Sequence, residues 1–175
     1  MARVKLVEKE EAPQMVKELY EKNADRNGRV LNLWKAMGNL PYIGLNYQRM
    51  GNSILKGEGL SPALRELAIV RVGNLARCAY EVTAHTNIAL RSGVAKEKLD
   101  NLGRWKEHKE FTDVERAVLQ YADEVAVNVQ VKDETFATLK KFLTDQNIVE
   151  LTAAIGYYGM TCRILEALKI DMEAN

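Results

Sequence analysis

Apolar side chains recur along most of the chain at spacings of three and four residues, which is the pattern of amphipathic α-helices. Each of the three prolines, Pro13, Pro41 and Pro62, precedes such a segment, as expected because proline is favoured in the first turn of a helix. Alternating apolar runs around a hairpin turn are almost absent. The single Asn27-Gly28 pair is flanked by charged residues, which favours a connection between helices. The pattern therefore predicts an all-α protein.

Capping and stop residues divide the chain into nine predicted helical segments. Ser61 is a predicted N-cap in front of Pro62, and Thr112 with Glu115 has the spacing of a capping box, in which each side chain accepts from the other residue's backbone N–H. Gly93 is a predicted C-terminal stop. The segments are 13–25, 31–37, 41–55, 61–75, 78–92, 95–102, 112–128, 133–143 and 147–168. The last segment is apolar nearly all round, so we expect it to be buried.

The length of the chain indicates one domain. A chain of 175 residues can bury most of the surface that it would expose when unfolded. No linker, low-complexity tract or block of like charge divides it, so we predict a single domain over residues 1–175.

The chain is nearly neutral, with 25 basic and 24 acidic residues and a formal net charge of +1. This balance creates no field that would attract nucleic acid or an anionic membrane, and no apolar run approaches the roughly 20 residues that span a bilayer. The N-terminal residues are charged rather than signal-like, and the two cysteines, Cys78 and Cys162, are too few for a disulfide framework. These features predict a cytoplasmic protein whose partner is a small-molecule substrate, with no nucleic-acid and no membrane partner.

A short sequence echo suggests an internal helical repeat. Eleven residues separate Glu66 from Cys78, and eleven separate Glu150 from Cys162, with a leucine after each glutamate. The second copy has a lysine where the first has His85, so only the first copy contains a full set of reactive groups.

One stretch, residues 61–93, concentrates the reactive side chains: Glu66, Cys78, Glu81 and His85. On a helix that begins near Cys78, residues 78, 81 and 85 lie along one face. If this helix forms an antiparallel hairpin with the preceding one, Glu66 returns to the level of His85. The order Glu66, His85, Glu81, Cys78 then suggests a proton relay. The helix N-terminus favours a thiolate at Cys78, whereas the Glu81 carboxylate opposes it.

The same stretch resembles the carboxymuconolactone decarboxylase and alkylhydroperoxidase D superfamily, most specifically over residues 42–94, through the runs LSPALRELAIVRV, CAYEVTAH and ALRSGV. The alkylhydroperoxidase motif is a Glu, eleven residues, Cys-x-x-Cys, and a His four residues after the second Cys. Glu66, Cys78 and His85 fall on those positions, Glu81 replaces the second Cys, and Tyr80 stands where that branch has another His. The resemblance implies an alkylhydroperoxidase D-like helical bundle that assembles as a homo-oligomer, a trimer or a hexamer.

The glutamate at position 81 changes the expected chemistry, because a peroxidase of this type needs a second thiol to resolve the oxidised one as a disulfide. Our first hypothesis is therefore a carboxymuconolactone decarboxylase-like lyase that performs acid–base chemistry on a lactone or carbonyl acid beside a largely apolar pocket. His85 is its general acid–base group, Glu66 orients His85, Glu81 and Cys78 complete the site, and Tyr80 contacts the substrate. The alternatives are a thiol-dependent, peroxiredoxin-like antioxidant that uses Cys78 with an external resolving thiol, and a non-catalytic small-molecule-binding or structural oligomer.

Two carboxylates and one histidine can also hold a divalent ion, and Glu66, Glu81 and His85 offer that set. No second histidine lies near them in the sequence, so we predict no metal and no other cofactor.

Other polar and aromatic residues have ordinary structural explanations. We expect Cys162 in the core, His108 at the surface and Arg71 in an ion pair. Tyr157 and Tyr158 fit either the core or an apolar oligomer surface, and the sequence leaves both open.

Overall fold

A computed structural model of the chain describes residues 1–24 and 28–173, and it confirms the all-α prediction. The expected end of the first helix at Asp25 and the connection at Asn27 lie outside the described residues. The helices are α1 (Gln14–Asn23), α2 (Asn32–Met37), α3 (Pro41–Lys56), α4 (Pro62–Ala76), α5 (Ala79–Arg91), α6 (Lys96–Asn101), α7 (Asp113–Asn128), α8 (Asp133–Leu139) and α9 (Asp145–Leu168), with a 3-10 helix (Leu102–Glu107) after α6.

The helix that the capping box predicts is present. The Glu115 carboxylate accepts from the backbone N–H of Thr112 at 2.7 Å, and the Thr112 hydroxyl accepts from the N–H of Glu115 at 3.4 Å. Both orphan donors at the start of α7 are therefore satisfied.

The end of one helix and one short element differ markedly from the prediction. The helix expected over 133–143 ends at Leu139, where the backbone tightens into turns, with the N–H of Phe142 bonded to the carbonyl of Leu139 at 3.0 Å. Leu143 is buried nonetheless, so the apolar spacing persists beyond the helix that it suggested. The 3-10 helix that buries Trp105 was not predicted, because its sequence LGRWKE lacks a helical apolar period.

The described residues form two compact units. One comprises Met1–Ser53 and Ile164–Asn175, and the other comprises Ile54–Arg163. In the first unit, the hydroxyl of Tyr20 donates to the carbonyl of Val7 at 2.7 Å, which fixes the N-terminal segment to α1. All the candidate site residues belong to the second unit.

In the second unit, α4 packs against both α5 and α7. Its apolar side chains are distributed around the whole helix, and most of its residues are buried, as expected for a central helix. Gly73 lets α5 approach closely, because a Cβ at this position would lie 3.0 Å from Cγ2 of Val82. The core cluster around these helices contains Leu67, Val70, Ala89, Val94, Leu102, Trp105, Phe111 and Leu119.

The last helix is less buried than its composition predicts. Leu151, Ile155 and Leu165 are at most 1% exposed, but Val149 is 68% and Met160 is 42% exposed. The expectation that this helix is buried on all sides is therefore wrong for the described structure, which buries one face of α9 and leaves apolar side chains on another.

Candidate functional site

The candidate site is built on the hairpin of α4 and α5. α4 carries Glu66, α5 carries Glu81 and His85, and Cys78 is the N-cap residue of α5. The turn between the helices passes through Arg77, whose φ of 55° lies in the left-handed region. This conformation is unfavourable for a residue with a side chain, and it reverses the chain directly before Cys78.

Glu66 and His85 form the centre of the site. Oε2 of Glu66 lies 2.8 Å from Nδ1 of His85, and the two residues are 0% and 6% exposed. The hairpin therefore brings Glu66 to His85, as its expected geometry predicts. Because a carboxylate only accepts, we assign a ring proton to Nδ1, so that in the neutral tautomer Nε2 has the lone pair.

Glu81 faces the other nitrogen of the same ring. Its Oε2 lies 3.4 Å from Nε2 of His85, in ion-pair range, but it makes no hydrogen bond within the described structure. Burial raises the pKa of the Glu81 carboxyl; His85 acts in the opposite direction, and Glu66 raises the pKa further. The site thus pairs a ring nitrogen that can accept a proton with a carboxyl group that tends to retain one.

Aromatic rings from α9 cover the imidazole. The ring of Tyr158 meets that of His85 edge-to-face at a centroid distance of 4.5 Å, and Tyr157 meets Tyr158 at 5.2 Å. Both tyrosines are 5% exposed, which places them in the core of this unit rather than on its surface. The contact of Tyr158 with His85 was not predicted, because no local signal ties residue 158 to residue 85.

Cys78 is fully buried where α5 begins. Its backbone N–H donates to the carbonyl of Gly73 at 2.9 Å, and its own carbonyl accepts from the N–H of Val82 at 3.1 Å. Cys162 is 1% exposed, as expected for a core residue, and no disulfide involves either cysteine in the described part of the chain. Tyr80 is 7% exposed and stays a predicted substrate contact.

Arg65 and Glu150 are two charged residues near the site that sequence analysis did not assign to it. Arg65 is 4% exposed, and its Nε lies 3.4 Å from Oε1 of Glu66. Glu150 holds the loop before α4 by accepting from three of its backbone N–H groups. Two signals pointed to them: an arginine directly beside Glu66, and the second copy of the glutamate in the sequence echo.

Other candidates have structural roles. Arg71 forms a two-pronged ion pair with Asp123, at 2.6 Å and 3.1 Å, as its expected assignment to an ion pair predicts. His108 is partly exposed and lies 3.6 Å from the carboxylate of Glu110. Among the described residues, no group of three or more His, Cys, Asp or Glu side chains is placed to hold a metal ion.

A cavity among the described residues lies away from the candidate site, and the apolar pocket expected beside the site stays a prediction. That cavity, of about 510 Å³, lies along α7 and α8 and has a mixed polar and apolar lining that includes Trp105, Arg116, Gln120, Lys141 and Phe142. None of the four candidate catalytic residues lines it.

The site cluster of Arg65, Glu66, His85 and Glu81 is buried and contains charges of both signs that can balance. The Arg65 cation faces the Glu66 carboxylate, which accepts from Nδ1–H of His85, and the ring faces a carboxyl group that burial favours in its protonated form. Such a set can move a proton without leaving an uncompensated buried charge.

No helix in the part of the chain that the structure describes is long and apolar enough to cross a membrane.

Comparison with known proteins identifies the relatives of this chain. The model of the carboxymuconolactone decarboxylase family matches residues 41–124, which include α4, α5 and the four candidate catalytic residues. The uncharacterized protein YnjA of Escherichia coli is 30% identical to this chain over 149 residues, covering 83% of this chain and 81% of YnjA.

Solved structures share the fold. An uncharacterized peroxidase-related protein from Ralstonia eutropha, an alkylhydroperoxidase AhpD core, matches with a TM-score of 0.86 at 19% identity, over 98% of this chain and 92% of that one. The debrominase Bmp8, crystallised as a cysteine-to-alanine variant in complex with 2,3,4-tribromopyrrole, matches with a TM-score of 0.81 at 21% identity, over 99% of this chain and 95% of that one. At these identities the likeness shows the fold alone.

Proposed function

We propose that this chain, which belongs to the carboxymuconolactone decarboxylase family and has its AhpD-like fold, is an enzyme that performs acid–base chemistry on a small lactone or carbonyl acid. The observation that supports this proposal is the arrangement around His85. Glu66 bonds Nδ1 at 2.8 Å, and the carboxyl group of Glu81 lies 3.4 Å from Nε2.

The geometry suggests a role for each group. Nε2 of His85 takes a proton from the carbon next to the substrate carbonyl, and the Glu66 carboxylate stabilises the imidazolium that forms. Glu81, which burial favours in its protonated form, donates a hydrogen bond to the oxygen on which negative charge develops. In a decarboxylation, Nε2 of His85 instead takes the proton of the substrate's carboxylic acid group. The bond to the carboxylate then breaks, its electron pair moves into the carbonyl system, carbon dioxide leaves, and His85 returns that proton to the carbon.

A proton-exchange assay over a panel of compounds tests this function. Small lactones and carbonyl acids, with carboxymuconolactone among them, are incubated with the protein in D2O and followed by NMR for deuterium uptake and loss of carbon dioxide. We expect His85→Gln and Glu66→Gln to slow the reaction by about 100-fold or more. His108→Gln, the matched control at the chain's other histidine, should react like wild type. Full turnover in both site variants would contradict the proposal.

The position of Cys78 favours a second candidate, a one-cysteine peroxidase. Cys78 is the N-cap of α5, where the helix dipole stabilises a thiolate, and the structural neighbours include a peroxidase-related protein. The thiolate would attack a peroxide, the O–O bond would break, and an alcohol would leave after taking up a proton. The resulting sulfenic acid would condense with an external thiol, releasing water, and a second external thiol would reduce that mixed disulfide.

Two serine variants separate the candidates. Peroxide consumption in the presence of an external thiol should disappear in Cys78→Ser and persist in Cys162→Ser if the second candidate is correct. The debrominase neighbour adds a brominated pyrrole as a further compound to assay, with bromide release as the measurement. Equal activity of Cys78→Ser and wild type in both assays would remove thiol chemistry from consideration.

A further inference from the structure

Arg65 is a buried cation with an unfilled bonding capacity beside the site. Its Nε lies 3.4 Å from Oε1 of Glu66, whereas its Nη1 is shielded from solvent and has no hydrogen-bond partner in the described structure. A buried guanidinium donor without a partner is unfavourable, so its surroundings should offer an acceptor.

Glu150 of α9 provides the complementary group. Its Oε2 accepts from the backbone N–H groups of Glu58, Gly59 and Leu60 at 3.2, 3.1 and 3.1 Å. Its Oε1 is shielded from solvent and has no partner among the described residues. One oxygen therefore holds the loop before α4, while the other is an acceptor without a donor.

Nη1 of Arg65 and Oε1 of Glu150, the two atoms without a partner, both lie beside Gly57. A Cβ at position 57 would lie 2.8 Å from Nη1 of Arg65 and 2.8 Å from Oε1 of Glu150. Gly57 also has a φ of 68°, which disfavours any other residue. The absence of a side chain thus leaves a space that an orphan donor and an orphan acceptor of opposite charge both border, and a side-chain movement would pair them.

We propose that Arg65 is a positioning residue of the site, shared between Glu66 and Glu150, and that Glu150 determines how much of its positive charge Glu66 receives. The proposal rests on the proposed function, because it concerns the Glu66–His85 pair that carries it. It also explains the sequence echo, because Glu150, the second glutamate of the repeat, changes the electrostatic environment of Glu66, the first.

The charge effect has a definite sign. The groups that face His85 are Glu66 with Arg65 behind it on α4, Glu81 on its own helix, and Tyr158 on α9. When Glu150 loses its charge, Glu66 is the one carboxylate that still compensates the Arg65 cation. The negative potential at the His85 ring therefore weakens. Protonation of the ring then requires a lower pH.

NMR titration of the histidine rings tests the proposal without a substrate, because the chain contains only His85 and His108. In Glu150→Gln we expect His85 to take up its proton at a pH lower than in wild type by a few tenths of a unit or more, while His108 titrates as before. Glu150→Asp keeps the charge and should restore the wild-type curve. An unchanged His85 curve in Glu150→Gln would overturn the proposal.

A matched control tests whether loss of a loop contact, rather than loss of charge, causes the change at His85. Glu124 is another buried carboxylate that holds a loop, since it accepts from the N–H of Lys132 and the hydroxyl of Thr135, both at 2.8 Å. Glu124→Gln should leave the His85 curve in place, and a shift equal to that of Glu150→Gln would reduce the effect to loss of a loop contact.

Arg65→Gln gives an independent result of opposite sign. Removing the cation should move proton uptake by His85 to higher pH, and this variant decides the question if Glu150→Gln does not fold. A shift to lower pH, or none, would count against the proposal. The titration is independent of the activity assay. Full activity in His85→Gln would refute the proposed function but would not change the titration result.

Discussion

Among the single residues of the site cluster, Glu66 makes the contacts that hold the others together. It is fully buried and meets a ring nitrogen of His85 with one oxygen and the guanidinium group of Arg65 with the other. A buried carboxylate is tolerated only when such partners compensate its lost hydration. The same residue therefore contributes to stability and sets the tautomer of the imidazole.

Glu66→Gln tests the structural part of this role. The amide removes the charge that balances Arg65, so we expect the free energy of unfolding to fall by about 3 kcal/mol in urea denaturation. Glu97→Gln, at an exposed position of α6, should stay within about 0.5 kcal/mol of wild type. Equal stability of the two variants would mean that Glu66 is not an ionised partner of Arg65.

Glu81 makes stability depend on pH. Burial raises the pKa of its carboxyl above the ordinary value of 4.5, so the folded state keeps a proton that the unfolded state has already released. Its stabilising contribution is complete below that ordinary value and is lost as pH rises through the raised pKa of the folded state.

Glu81→Gln should abolish this dependence. Measured by urea unfolding from about pH 4 to about pH 8, the stability of the variant should improve relative to wild type as pH rises through this window and then level off. Parallel curves for the two proteins, or a relative gain for wild type, would show that Glu81 is ionised in the fold.

At the scale of elements, the close approach of α4 and α5 brings the site together. Both helices follow from local sequence, but the separation of their axes is set where Gly73 meets Val82. The turn at Arg77 then fixes which residues of α5 face back toward α4. Glu66 and His85 lie 19 residues apart in the chain and 2.8 Å apart in space because of this hairpin.

A pair of glycine-to-alanine variants tests this contact. Alanine normally stabilises a helix interior by about 1 kcal/mol relative to glycine, and Gly156 of α9, with open space around its Cβ position, should show that gain. Gly73→Ala should instead lower stability by about 1–3 kcal/mol, since its Cβ would press on Val82. Thermal unfolding of the two variants measures both effects, and a gain at position 73 would mean that the helices can separate at no cost.

At the scale of the whole molecule, assembly stays a prediction of the family resemblance. The resemblance suggests a homo-oligomer, a trimer or a hexamer. Light scattering coupled to size exclusion should therefore give three or six times the subunit mass of 19.8 kDa. A single species of 19.8 kDa across a wide concentration range would contradict this expectation.

The local sequence predicted the all-α fold, most helix boundaries and the set of residues around position 85, because apolar period, proline position and capping act over a few neighbours. It missed the 3-10 helix at Leu102–Glu107, where burial of Trp105 rather than periodicity sets the backbone. Two features are visible in the folded structure alone: Tyr158 packs on His85, and Arg65 and Glu150 both reach Gly57. These contacts join residues far apart in the chain, and they depend on packing and burial, which no local pattern encodes.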